Sequence, residues 1–168
     1  MRIGLLTGGG DCPGLNAAIR AVARIGRESG DEVIGFRHGW RGVVDGECAA
    51  LTSQETKGIL QSGGTILRTA RYHPDEHEGA SEAVEAIFAR ERLDCLIVVG
   101  GDGTLGAAVL LAERGIPIVG IPKMIDNDVQ GTERCIGFAT AVATAAEAVD
   151  RMHTTGCMRP GAYDRGEP

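Results

Sequence analysis

Short apolar runs alternate along this chain with segments whose apolar residues recur every three or four positions. That is the pattern of strands alternating with helices around a mainly parallel sheet. Ile3 to Thr7 reads as a buried first strand ending in Gly8-Gly9-Gly10-Asp11. Leu15 to Glu28 reads as a helix whose Leu15, Ile19, Val22 and Ala23 face the sheet. Glu32 to Phe36 predicts a second strand, and Gln54 to Gln61 a short helix stopped by Ser62-Gly63-Gly64. Ser81 to Arg92 predicts a helix with Ala83, Val84, Ile87 and Phe88 on one stripe. Cys95 to Val99 predicts a central strand, followed by a helix from Leu105 to Arg114 and a strand from Ile116 to Ile121. A helix from Ala141 to Met152 closes the periodic part. The expected fold is a three-layer αβα arrangement on a mainly parallel, Rossmann-like sheet. Residues 1–155 form its one domain, and residues 156–168, rich in Gly, Pro and Arg, form an irregular tail.

Three glycine- or aspartate-rich segments each follow a predicted strand: residues 8–14, 100–104 and 122–128. In an open parallel sheet the carboxyl ends of the strands line the ligand crevice, so these loops are expected to meet on one rim. Pro122-Lys123-Met124-Ile125-Asp126-Asn127-Asp128 sets two carboxylates two residues apart beside a cation. On an extended loop the two point the same way, as proton abstraction from a hydroxyl or metal-phosphate handling requires. An Asx-rich turn is the plainer alternative. Gly8 to Gly14 lets the backbone approach a phosphate at a helix N-terminus, or is a tight structural turn alone; it contains no Gly-Lys-Ser/Thr and is not a Walker loop. In Gly100-Gly101-Asp102-Gly103-Thr104, Asp102 suits Mg²⁺, and helix capping by Asp102 or Thr104 is the alternative. Arg68 and Arg71 follow the Gly63-Gly64-Thr65 turn and suit phosphate oxygens, or are simply surface arginines. His38, His73, His77 and His153 show no ligand spacing; His73 and His77 read as solvated.

Composition narrows the choice further. With 168 residues, 43% hydrophobic and 24% charged, the chain is long and apolar enough for one folded core. Only 4% of residues are aromatic and the net charge is −6, which argues against a general nucleic-acid binder. The 26 glycines suit phosphate loops and close helix–sheet packing. Five scattered cysteines with no C-x-x-C pair indicate neither a zinc site nor a disulfide framework. No signal peptide or membrane span is read in the chain, and the cytoplasm is the expected location.

Taken in order, Leu6 to Asp11, Gly63-Gly64-Thr65, Gly100 to Thr104, Pro122 to Asp128 and Asp150 to Thr155 resemble the amino-terminal half of a 6-phosphofructokinase. The resemblance runs from Met1 to about Thr155. It implies transfer of the terminal phosphoryl group of a donor to the 1-hydroxyl of fructose 6-phosphate. By position it makes Asp126 the general base, supported by Asp128. Gly10, Arg71, Tyr72, Gly101, Asp102, Gly103 and Thr104 become donor contacts, with Mg²⁺ at Asp102. Lys123, Met124, Ile125, Asp126 and Asp128 fall on the substrate side. Gly103 points to ATP as donor, because pyrophosphate-using relatives usually carry Asp there, while Lys123 points towards pyrophosphate. ATP is the expected donor; a pyrophosphate-dependent transferase or a non-catalytic nucleotide-binding fragment are the alternatives. Arg20 and Arg24 correspond to effector-binding positions in some relatives, and otherwise read as a solvated helix face.

Two departures from that family bear on activity. Met124 replaces a usual Thr and removes a hydroxyl near the reacting groups, which predicts slowed turnover. After Thr155 the sequence no longer resembles the family, so the substrate-gripping half is expected to be absent and the isolated chain weak or inactive. A full-length relative would be expected as a homotetramer.

Overall fold

The computed structural model describes residues 1–157, with side chains through His153. Six strands are present: β1 (Arg2–Thr7), β2 (Glu32–Phe36), β3 (Cys48–Ala50), β4 (Cys95–Gly100), β5 (Ile118–Met124) and β6 (Ile136–Gly137). Five α-helices accompany them: α1 (Leu15–Glu28), α2 (Gly39–Asp45), α3 (Ala80–Arg90), α4 (Asp102–Glu113) and α5 (Phe138–Cys157). The strands lie in the order β3-β2-β1-β4-β5-β6, and every pairing is parallel except β2 with β3. The three-layer, mostly parallel fold expected from the pattern is the one observed.

Alternation along each strand sends side chains to the two faces in turn. In β1, Leu5 faces the α1 side, where it packs with Leu15, Ile19, Ala23, Val33 and Val99. Leu6 faces the other side, with Trp40 and Val43 of α2, Val84 and Ile87 of α3, and Leu111 of α4. Removing each such side chain fully from water stabilises the fold by about 1.5–3 kcal/mol. The order of strands reverses between β1 and β4, and a doubly wound sheet leaves its ligand crevice at that point.

Several expected boundaries move. The 54–61 segment is helical only as a 3₁₀ turn over Ile59–Gln61. A second such turn, unforeseen, covers Pro74–Glu76. Helix α4 starts at Asp102 rather than Leu105, so three of the five residues of the expected 100–104 loop belong to the first helical turn. Strand β5 continues to Met124, because its partner β6 pairs Lys123 with Ile136 and Met124 with Gly137. Pro122 is tolerated there near the edge of the sheet, where few ladder bonds are lost. Helix α5 begins at Phe138 rather than Ala141 and runs to Cys157 rather than Met152. The remainder of the predicted tail, residues 158–168, lies outside the described residues.

Candidate active site

The three loops converge as predicted. At the carboxyl ends of β1, β4 and β5 they enclose a cleft of about 610 Å³, together with residues 70–73. Gly10, Arg71, Tyr72, Gly101, Asp102, Gly103, Thr104, Lys123, Met124, Ile125 and Asp126 all line it. Asp128 does not. Asn127 between the two carboxylates is left-handed (φ 56°), so the chain turns there instead of extending. The side-by-side Asp126/Asp128 pair expected from the spacing is therefore not seen. Asn127 accepts the N–H of Cys135 (2.7 Å) and donates to the carbonyl of Glu133 (3.3 Å), which closes the 127–135 loop on itself.

The floor of the cleft is built by close backbone approach. The Thr104 side chain is buried, and Cβ atoms built on Gly8 and Gly100 would come within 2.5 and 2.4 Å of it. Glycine at both positions lets β1 and α4 meet around that threonine. Neither Asp102 nor Thr104 caps α4: its N-cap is Gly101, with no side-chain cap bond. The first-turn N–H groups of α4 therefore face the cleft without a side-chain partner at the cap, with Asp102 beside them. Trp40 fixes this turn from beneath by donating its indole N–H to the carbonyl of Thr104 (3.0 Å).

Lys123 is 3% exposed and donates from Nζ to the carbonyl of Gly10 at 2.7 Å. The cation thus ties β5 to the glycine loop while still lining the cleft. Burial pulls its pKa below the usual lysine value, with the Cys12 thiol and the Asp11 carboxylate pulling the other way. Burial also pushes the Cys12 thiol up, and that thiol donates to the Ile136 carbonyl at 3.5 Å. Arg71 lines the cleft, whereas Arg68 lies outside it: its carbonyl accepts from the Thr7 hydroxyl (2.9 Å) and its guanidinium reaches His38 Nε2 (3.5 Å). Arg24 pairs with Glu28 (2.8 Å) on an exposed helix face.

Three contributors had no individual role assigned from the sequence, although Asp11 sits in the 8–14 loop expected on the rim. Asp11 lines the cleft and accepts the N–H of Cys12. Asn16 is buried, donates to the carbonyls of Ser62 and Gly63, and accepts the N–H of Ile66, holding the loop that leads to Arg71. His73, expected to be solvated, lies in the cleft wall against Gly103. A buried-side asparagine on an otherwise apolar helix stripe was the one available signal for Asn16; for His73 there was none.

As for Mg²⁺, the donor set fits an ion held mainly by substrate phosphates. Asp102, Asp11 and Asp126 line the same cleft, yet among the described residues no cluster of three or more His, Cys, Asp or Glu forms a cage. Magnesium commonly takes one or two protein carboxylates and fills its other positions with phosphate and water.

A cleft at the switch point of a doubly wound sheet, floored by glycines and a helix N-terminus and bearing carboxylates and a buried lysine, defines a phosphate-handling α/β protein. The Phosphofructokinase family profile matches residues 2–158, and the chain belongs to that family. It is 51% identical over 156 residues to the pyrophosphate–fructose 6-phosphate 1-phosphotransferase of Amycolatopsis methanolica, covering 92% of this chain and 46% of the relative. It is 50% identical over 156 residues to ATP-dependent 6-phosphofructokinase 2 of Streptomyces coelicolor, with the same coverage of both chains. The fold superposes on Pichia pastoris phosphofructokinase in the T-state with a TM-score of 0.85 at 34% identity, covering 89% of this chain and 18% of that one. The chain spans about half the length of the curated relatives it matches. No helix among the described residues is long and apolar enough to cross a membrane.

Proposed function

We propose that this cleft serves transfer of the γ-phosphoryl group of ATP to the 1-hydroxyl of fructose 6-phosphate, giving fructose 1,6-bisphosphate and ADP. The observation that carries the reading is the meeting of Asp126, Asp102, Lys123 and the glycine loop in one cleft. Asp126, exposed at the cleft mouth, accepts the proton of the sugar hydroxyl as its oxygen bonds to phosphorus. The bond from phosphorus to the bridging oxygen breaks, and ADP leaves with that electron pair. The N–H groups of the first turn of α4, with Arg71, hold the donor phosphates in line. Mg²⁺ bound with the donor would neutralise phosphate charge, with Asp102 as its protein ligand. Lys123 orients the glycine loop through Gly10. A family-like homotetramer and a cytoplasmic location belong to the same proposal.

A second reading takes inorganic pyrophosphate as donor. It is supported by the imidazole of His73, which occupies the space beside Gly103 that was expected to admit a nucleotide. Relatives named for either donor match the chain at similar identity.

The test is calorimetric binding of Mg-ATP and Mg-pyrophosphate to the chain, followed by a coupled assay for the bisphosphate. Asp126→Asn is expected to lower turnover by about 10²–10⁴-fold while leaving donor affinity unchanged. Donor binding without turnover in the unmodified chain narrows the reading to a nucleotide-binding fragment. Binding of neither donor refutes it.

A further inference from the structure

Met124 and His73 approach the start of α4 from two different segments. A Cβ built on Gly101 would stand 2.4 Å from the Met124 methyl, and one built on Gly103 would stand 2.5 Å from His73 Cε1. The β5 end of the cleft, which carries Asp126, therefore borders Gly101. The 71–73 segment borders Gly103. A donor whose reacting phosphoryl group lies at the Asp126 end has to extend past Gly103 towards His73.

The position of that ring is built into its segment. His73 is extended (φ −120°, ψ 113°), as a residue before proline must be, and Pro74 is buried. On one side Tyr72 stacks on His77 with ring centroids 4.4 Å apart, and the Arg41 guanidinium lies 5.6 Å from the Tyr72 ring. The neighbours of His73 on both sides are thus anchored, and its imidazole lies against the backbone of α4 at Gly103, where glycine alone leaves room for it. Pyrophosphate ends after two phosphoryl groups, whereas a nucleoside triphosphate continues with a third phosphate, a ribose and a base.

We propose that His73 is a donor-positioning residue whose ring, seated on Gly103, limits donor length and disfavours nucleoside triphosphates relative to pyrophosphate. This rests on the reading of the cleft as a phosphoryl-donor site. Whichever donor the protein uses, taking the ring away shifts the balance towards ATP, because the shorter donor does not reach it.

The experiment measures affinities for Mg-ATP and Mg-pyrophosphate by calorimetry in the 168-residue chain, His73→Ala and His73→Phe, each checked for its fold by circular dichroism. His73→Ala is expected to move the affinity ratio towards ATP by about tenfold. His73→Phe keeps the bulk without the nitrogens and is expected to keep the original ratio. A ratio unmoved in His73→Ala overturns the proposal, and so does a Phe variant that behaves like Ala, since imidazole hydrogen bonding would then be at work. In both cases donor binding itself persists, and the reading of the cleft stands. Binding of neither donor by the unmodified chain removes that reading and the role of His73 together.

Discussion

The two ends of the sheet are built to different standards. Around β1, β2 and β4 the sheet is covered on both faces, and Leu5, Leu6, Leu15, Ile19, Leu96 and Val99 are fully buried. Along β5 and α5 apolar side chains stand in the open: Val119 is 54% exposed, Val142 52%, Val149 57% and Met152 55%. The cleft straddles this divide. Its glycine loop and the start of α4 grow from the sealed part, whereas Ile125, Asp126 and Asp128 follow β5 and are exposed. The side proposed for the donor is thus held by packing that is already complete, and the side proposed for the sugar is held by few buried contacts. Local stability follows buried contact density, so the two walls differ in rigidity as well as in chemistry.

The sharpest way to break this comparison is to remove one large side chain from each part. Trp40→Ala deletes a buried indole and its bond to the start of α4, and is expected to cost about 3–5 kcal/mol in urea unfolding. Val149→Ala, on the exposed face of α5, is expected to change stability by no more than about 0.5 kcal/mol. Similar costs at the two sites would show that the β5–α5 edge is packed after all.

A smaller effect is expected where the two parts touch. Met124→Thr withdraws the methyl group from Gly101 and supplies a hydroxyl beside the substrate side. Turnover in the coupled assay should rise about two- to tenfold, the equivalent of one modest hydrogen bond. A fall would mean that the packing of Met124 on α4 matters more than the missing hydroxyl.

The smallest effect concerns alkaline pH and reports on the sealed part. Burial raises the thiol pKa of Cys12, Cys48 and Cys95 above 9.0, so the folded chain keeps protons that the unfolded chain releases. Their contribution is fully present below pH 9.0 and is lost as pH climbs through the folded values. Lys123 works in the opposite sense, since its lowered pKa adds stability as pH rises towards 10.5. Under reducing conditions the three thiols therefore pull urea midpoints down as pH climbs past 9.0, against the opposite pull of Lys123. Replacing Cys12, Cys48 and Cys95 together by Ala should remove the thiol contribution and make the slope above pH 9.0 more positive than in the unmodified chain.

Legibility followed the same divide. Helix α1 and strand β2 occupy the residues their apolar periods marked, because a long amphipathic helix and a buried strand each carry a repeated signal. Helix α2, with Gly39, Gly42 and a left-handed His38 at its start, has poor intrinsic propensity and forms because Trp40 and Val43 are buried by their neighbours. Strands β3 and β6 span three and two residues, too few to show any period. At the site, the residues adjoining glycine loops were found by their motifs. Asn16 and His73 were not, because their roles depend on partners distant in the chain.

What the sequence determined by itself was the alternation of strands and helices, and hence the placing of three loops at the same ends of neighbouring strands. Backbone propensity, apolar period and glycine punctuation are local, and the parallel topology follows from them. Only the tertiary structure decided which side chains share the cleft. The left-handed turn at Asn127 parts Asp128 from Asp126, the buried Lys123 spends its charge on Gly10, and His73 fills the space beside Gly103. Each of these depends on atoms brought within a few ångströms by packing, and no spacing along the chain encodes such a distance.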